Sequence, residues 1–131
     1  MTEPIATAEL AARLGDDDLV VLDVRTTAEF EGLAVAPCDP RAGRIPGARH
    51  VGLEELLGAG AGGPAAVREL VGAEPGTEVI AYCHSGSRSG VAVQMLAAVG
   101  YRARNYEGSW HAWSRDPALP AESGPADDAT R

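Results

Sequence analysis

Cys83-His84-Ser85-Gly86-Ser87-Arg88 is the run in this sequence whose residue types and spacing suit covalent chemistry. A thiol opens it, a guanidinium closes it, and three of the four residues between are Ser or Gly. Small residues let a backbone curl so that successive N–H groups point into one concavity, an anion-binding nest. Gly86 supplies any positive φ that the curl requires. A free cysteine with a pKa of ~8.5 is only about 3% ionised at pH 7, so the loop must favour the thiolate to make it a nucleophile. Arg88 brings a fixed positive charge and a fork suited to an oxyanion. The chemistry expected is nucleophilic attack by Cys83 on an anionic substrate, with Arg88 as its charge partner. His84, Ser85, Gly86, Ser87 and Ser89 are the loop residues expected to line the bound substrate.

The flanking sequence says how such a loop is held. Val79 to Tyr82 is a short apolar run, the length and type of a buried strand. Val91, Met95, Leu96 and Val99 recur at helical spacing, and Gly100 stands where a helix stops. The loop therefore sits at the carboxyl end of a strand, where ligands collect in α/β sheets, with a helix N-terminus aimed at it. Upstream, Leu19 to Val24 is a continuous apolar run of the kind that parallel sheets bury on both faces. Arg25, just beyond it, is expected as an ion-pair partner of Asp23 or Glu29, with a place in the pocket as the alternative. Pro4-Ile5-Ala6 is read as a short first strand and Thr7 as the N-cap of a helix over residues 8–14. A single helical turn is expected over residues 27–31. Further strands are expected to begin at His50 and to run over residues 101–106, with helices over 53–57 and 65–71. The glycine-rich stretch from Gly58 to Pro64 reads as a flexible connector.

Four stretches in order carry a family resemblance. The loop from Cys83 to Arg88 resembles the active-site loop of the rhodanese (sulfurtransferase) superfamily. Val20-Val21-Leu22-Asp23-Val24-Arg25 with Glu29-Phe30 resembles that family's first long strand and the turn after it. Gly43-Arg44-Ile45-Pro46-Gly47-Ala48 is similar to its second signature, and Asn105 to Trp110 with Trp113 looks like the close of the catalytic domain in tandem thiosulfate sulfurtransferases. The resemblance implies an α/β rhodanese-like fold, a mainly parallel five-stranded sheet flanked by helices on both faces. It implies sulfur transfer through a Cys83 persulfide, thiosulfate as donor, and a thiol or thioredoxin-like protein as acceptor. Arg88 follows Cys83 by five positions; a loop this short goes with sulfur transfer in the family, and a longer one with phosphatase or arsenate reductase members. A module that only carries sulfur for a partner protein is the alternative from a different class.

The connection from Gly32 to Arg49 is long and rich in Pro and Gly, and such a loop is usually functional. Arg41, Arg44 and Arg49 lie within or end it, and Arg44 is taken as a substrate-binding candidate, ordinary solvated arginines being the other reading. Cys38, in the same loop, is a candidate to resolve an oxidised or persulfidated Cys83 as a disulfide. With two cysteines 45 positions apart, no metal site and no disulfide framework is expected. Neither a metal nor an organic cofactor is needed for this chemistry. Trp110 and Trp113 are expected in the core, and His111 carries no functional reading.

The 131 residues suffice for one domain with a real core, 45% of them hydrophobic. A net charge of −8 argues against nucleic acid and anionic membranes as partners. No stretch approaches a membrane span, and Met1-Thr2-Glu3-Pro4 shows no secretory signal, so a cytoplasmic place is expected. Residues 1–120 are read as the domain and residues 121–131, with Pro125 and Asp127-Asp128, as a flexible tail.

Overall fold

The computed structural model describes residues 3–125. Ten elements follow in order: α1 (Thr7–Ala12), β1 (Leu19–Asp23), α2 (Thr27–Glu31), β2 (Arg49–His50), α3 (Leu53–Gly60), α4 (Pro64–Val71), β3 (Glu78–Tyr82), α5 (Ser87–Ala98), β4 (Arg102–Asn105) and α6 (Ser109–Trp113). The sheet has four strands, not five, in the order β2-β1-β3-β4. All pairings are parallel, with Val20 opposite Val79 and Val21 opposite Ile80 at the centre. The expected first strand does not form. Pro4 has no N–H to give a ladder, the Ile5 amide makes one bond to the Asn105 carbonyl at 3.2 Å, and α1 begins two residues later.

Alternation along the two central strands splits the core in two. Val20, Leu22, Val79, Ala81 and Cys83 face one side, where they meet Leu56, Val67, Val71, Val93 and Leu96 of α3, α4 and α5. Val21, Ile80 and Tyr82 face the other, with Leu10 of α1 and Trp110 and Trp113 of α6. Each fully buried Val, Leu or Ile contributes about 1.5–3 kcal/mol, so both helical layers are held by burial rather than by helix propensity. The edge strands are short, and Arg49, Arg102 and Arg104 keep them charged.

Several local expectations shift. Thr7 opens α1 rather than capping it, and its hydroxyl bonds the Tyr106 hydroxyl at 2.7 Å. The helix over residues 53–57 runs on through Gly58 to Gly60, into the first part of the supposed connector. Met95 packs so closely on Gly60 that an added Cβ would lie 2.5 Å from its Cε, so the glycine serves close approach between α3 and α5. At the other end Glu122 pairs with Arg44 in an antiparallel bridge, while residues 126–131 of the expected tail lie outside the described residues.

Candidate functional site

The loop between β3 and α5 carries Cys83 at its base and Gly86 at its crest. Gly86 has φ +97°, and a Cβ there would lie 2.7 Å from the Glu107 carbonyl oxygen. Glycine is required both by the turn and by that contact. The Cys83 side chain is buried at the head of α5. Its Sγ accepts from the Gly86 amide at 3.1 Å, with the Ser89 hydroxyl at 3.4 Å and the Ser109 hydroxyl at 4.0 Å. Burial pushes the thiol's pKa up, but the Ser89 hydroxyl and the amides of Ser89, Gly86 and Ser85 outweigh it, and the net shift is downward. The donors around the sulfur are thus loop amides and, as the nearer of the two hydroxyls, that of Ser89.

That hydroxyl has a competing acceptor. Ser89 Oγ lies 2.6 Å from Asn105 Oδ1, while Asn105 Nδ2 donates to the Gly86 carbonyl at 3.1 Å. One proton has two possible acceptors, and the contact to Asn105 is the shorter. Ser109 fixes the base of the loop: the Cys83 amide donates to its Oγ at 3.0 Å, and that hydroxyl in turn donates to the Tyr106 carbonyl at 2.8 Å. Ser109 is held at φ +54°, a conformation side chains rarely adopt and one that clusters at functional positions. The Trp110 and His111 amides then donate to the Cys83 and His84 carbonyls, both at 2.9 Å. Sequence reading gave Ser109 and Asn105 no role at the loop, because nothing in a single sequence marks residues that act across 16 to 26 positions of chain.

The remaining expected site residues divide. Ser85 and Ser87 are exposed on the loop. Arg88 is near the thiol in sequence but directs its fork to Glu29, Nη1 to Oε1 at 2.9 Å and Nη2 to Oε2 at 3.2 Å. Glu29 also closes a capping box with Thr26 at the start of α2. Burial raises the Glu29 pKa, but Arg88 and the Thr26 amide outweigh it and hold the carboxyl at about 2. Arg44 is not brought to the loop. Its guanidinium stacks on Phe30, donates to the Phe30 and Gly124 carbonyls, and approaches Glu122. Arg41 and Arg49 likewise bond carbonyls, four around the end of α6 and two at the end of α4. These three arginines bond backbone carbonyls and are not gathered around the loop, and Arg49 is exposed to solvent as well. A cavity of about 850 Å³ bordered by Arg44, His50, Glu69 and Glu122 has none of the loop residues 83–89 in its lining.

Arg25 is buried and pairs with Asp23, Nη2 to Oδ2 at 2.8 Å, not with Glu29. The Tyr82 hydroxyl donates to the same carboxylate at 2.7 Å and accepts from the Ile45 amide at 3.0 Å. Arg25 also reaches the Gly43 carbonyl at 2.6 Å. This buried set fastens the end of β1 to β3 and to the long connection. On the loop's far side His84 turns to Asp39, with His111 and Cys38 beside it, a group of side chains from three separate stretches.

This chain, with its parallel α/β sheet and a cysteine at the carboxyl end of a central strand, resembles known proteins in sequence and fold. The rhodanese-like domain family matches residues 6–116, and the chain belongs to it. A thiosulfate sulfurtransferase of Pseudomonas aeruginosa is 36% identical over 92% of this chain and 46% of its own. The human thiosulfate:glutathione sulfurtransferase is 32% identical over 83% of this chain and 90% of its own. A solved probable thiosulfate sulfurtransferase superposes with TM-score 0.76 at 44% identity, covering 91% of this chain and 47% of that one. The chain thus spans about half the length of the Pseudomonas protein and of the solved structure. Among the described residues no helix is long and apolar enough to cross a membrane.

Proposed function

We propose that this domain moves a sulfane sulfur from a small anionic donor, thiosulfate first, to a thiol acceptor through a persulfide on Cys83. The observation that carries the reading is the convergence of the Gly86 amide and the Ser89 hydroxyl on Cys83 Sγ, with the pKa of that thiol lowered despite burial. The Cys83 thiolate attacks the outer sulfur of thiosulfate, the S–S bond breaks, and sulfite leaves with its electron pair. The terminal sulfur of the persulfide then occupies the mouth of the nest, where loop amides stabilise its negative charge. An acceptor thiolate or cyanide attacks that outer sulfur, and Cys83 leaves as thiolate. Two half-reactions on one nucleophile imply ping-pong kinetics. The names of the relatives support the donor, and the human relative's name supports a small thiol such as glutathione as acceptor. Thiol chemistry with two unpaired cysteines suits the reducing cytoplasm.

One observation favours a second reading, a sulfur carrier served by a partner protein. Glu29 already neutralises Arg88, which leaves less positive charge for a free dianion. Intact mass after thiosulfate, followed by turnover with cyanide, separates the two. The enzyme reading expects one added sulfur atom and sustained turnover, and Cys83→Ser should show neither. A persulfide with negligible turnover selects the carrier, and no persulfide on the wild-type protein rejects both.

A further inference from the structure

At the rim of the same loop, four side chains with metal-ligating atoms converge: Cys38 and Asp39 from the long connection, His84 next to Cys83, and His111 from α6. One ligand atom from each lies within 4.8 Å of all the others. Cys38 Sγ is 3.9 Å from both His84 Nε2 and His111 Nδ1, and His111 Nδ1 is 3.0 Å from Asp39 Oδ1. The Asp39 side chain is only 1% exposed. Its Oδ2 lies 2.9 Å from His84 Nε2, yet the contact lacks hydrogen-bond geometry, and this buried oxygen has no hydrogen-bond partner. A buried carboxylate oxygen without a donor calls for an ion or a water; the His84 imidazole stands beside that oxygen, while the His111 imidazole and the Cys38 thiol, at 3.0 and 3.7 Å, lie against the other oxygen of the same carboxylate.

We propose that Cys38, Asp39, His84 and His111 form a site for a divalent transition metal, best suited to Zn²⁺. Two imidazole nitrogens, a carboxylate oxygen and a thiolate are a borderline-soft set that suits tetrahedral zinc. Around one such ion the ligand atoms sit roughly 3.3–3.6 Å apart, given metal–ligand distances of about 2.0–2.3 Å. The contacts within the group run from 2.9 to 3.9 Å, on either side of that range, and the exposed Cys38 can rotate to close the wider gaps. Binding releases the Cys38 thiol proton and requires both imidazoles neutral, so affinity rises with pH. It also places a proton on His111 Nε2, which now accepts from Arg115 Nε at 3.2 Å, so the exposed Arg115 must swing away. Cys83 takes no part, because its sulfur faces the Gly86 and Ser89 donors. A bound ion would clip the long connection and α6 to the residue beside Cys83.

The test uses tag-free, chelator-stripped protein and reads no sulfur transfer, so its failure and that of the transfer reading are separate. Titration with Co²⁺ should reach one equivalent, with the visible bands of a tetrahedral centre and a sulfur-to-cobalt charge-transfer band, and Zn²⁺ should bleach both. Cys83→Ser should keep the spectrum. Cys38→Ser should lose the charge-transfer band, and His111→Ala should weaken binding at least about 100-fold, beyond the usual cost of an outer-shell change. Both substitutions fall at incompletely buried positions. No cobalt binding, a charge-transfer band that survives Cys38→Ser, or one that vanishes in Cys83→Ser would overturn the proposal.

Discussion

Cys83 is activated by what donates to it, and the donors are countable. The Gly86 amide and the Ser89 hydroxyl reach Sγ, and Arg88 is occupied with Glu29. Ser89→Ala should therefore raise the Cys83 pKa and slow its alkylation at pH 7 by roughly fivefold, the worth of one hydrogen bond of about 1 kcal/mol. The rate of alkylation against pH measures this, and an unchanged profile would leave the activation to the backbone alone. The nest was legible in the sequence because small residues after a strand leave few other readings. The partner of Arg88 was not, since a guanidinium five positions past a thiol has the same appearance whether it meets a substrate or a carboxylate 59 residues away. The roles of Asn105 and Ser109 at the loop, and the grouping of Cys38, Asp39, His84 and His111, were hidden for the same reason: they depend on where the fold brings these residues.

Between elements, the Glu29–Arg88 pair ties the start of α2 to the start of α5. Glu29 titrates at about 2 in the folded chain and near ~4.3 when unfolded. A carboxyl depressed by folding lends stability that is complete above the unfolded pKa and is lost as pH falls from ~4.3 through about 2. Both side chains are partly exposed, so after solvent screening the pair contributes about 1 kcal/mol. Glu29→Gln keeps the capping acceptor for Thr26 but removes the charge. Urea unfolding should place it about 1 kcal/mol below the wild type at pH 7, with the difference gone near pH 2. The long, periodic elements β1, β3, α4 and α5 were readable from sequence. β2, with two residues, and α6, begun by a serine at positive φ, are set by packing and by Cys83 rather than by propensity. α3 outran its expected end because Met95 needs Gly60 beneath it, a tertiary demand that overrides glycine's poor helix propensity.

For the molecule as a whole, the buried Asp23–Arg25–Tyr82 set is a polar anchor at the carboxyl end of the sheet's two central strands. Asp23→Asn leaves Arg25 buried without its counter-charge and should cost about 3–5 kcal/mol, a large part of a typical domain's stability. Urea unfolding at neutral pH measures it; a loss below 1 kcal/mol would mean that water or a rearranged Arg25 takes over. The two-sided core followed from continuous apolar strands, whereas the expected fifth strand failed on a single proline. Chain order has a further consequence for the reactive thiol. The amides and carbonyls that flank it are satisfied by residues 109–111, which lie past every strand of the sheet. During synthesis the groups that flank the nucleophile are therefore among the last to be satisfied, and for that interval Cys83 stands at an unfinished strand end. An alkylator pulsed in at increasing times after refolding begins should label Cys83 readily until α6 docks, and the decay of that labelling times the completion of the site rather than of the sheet.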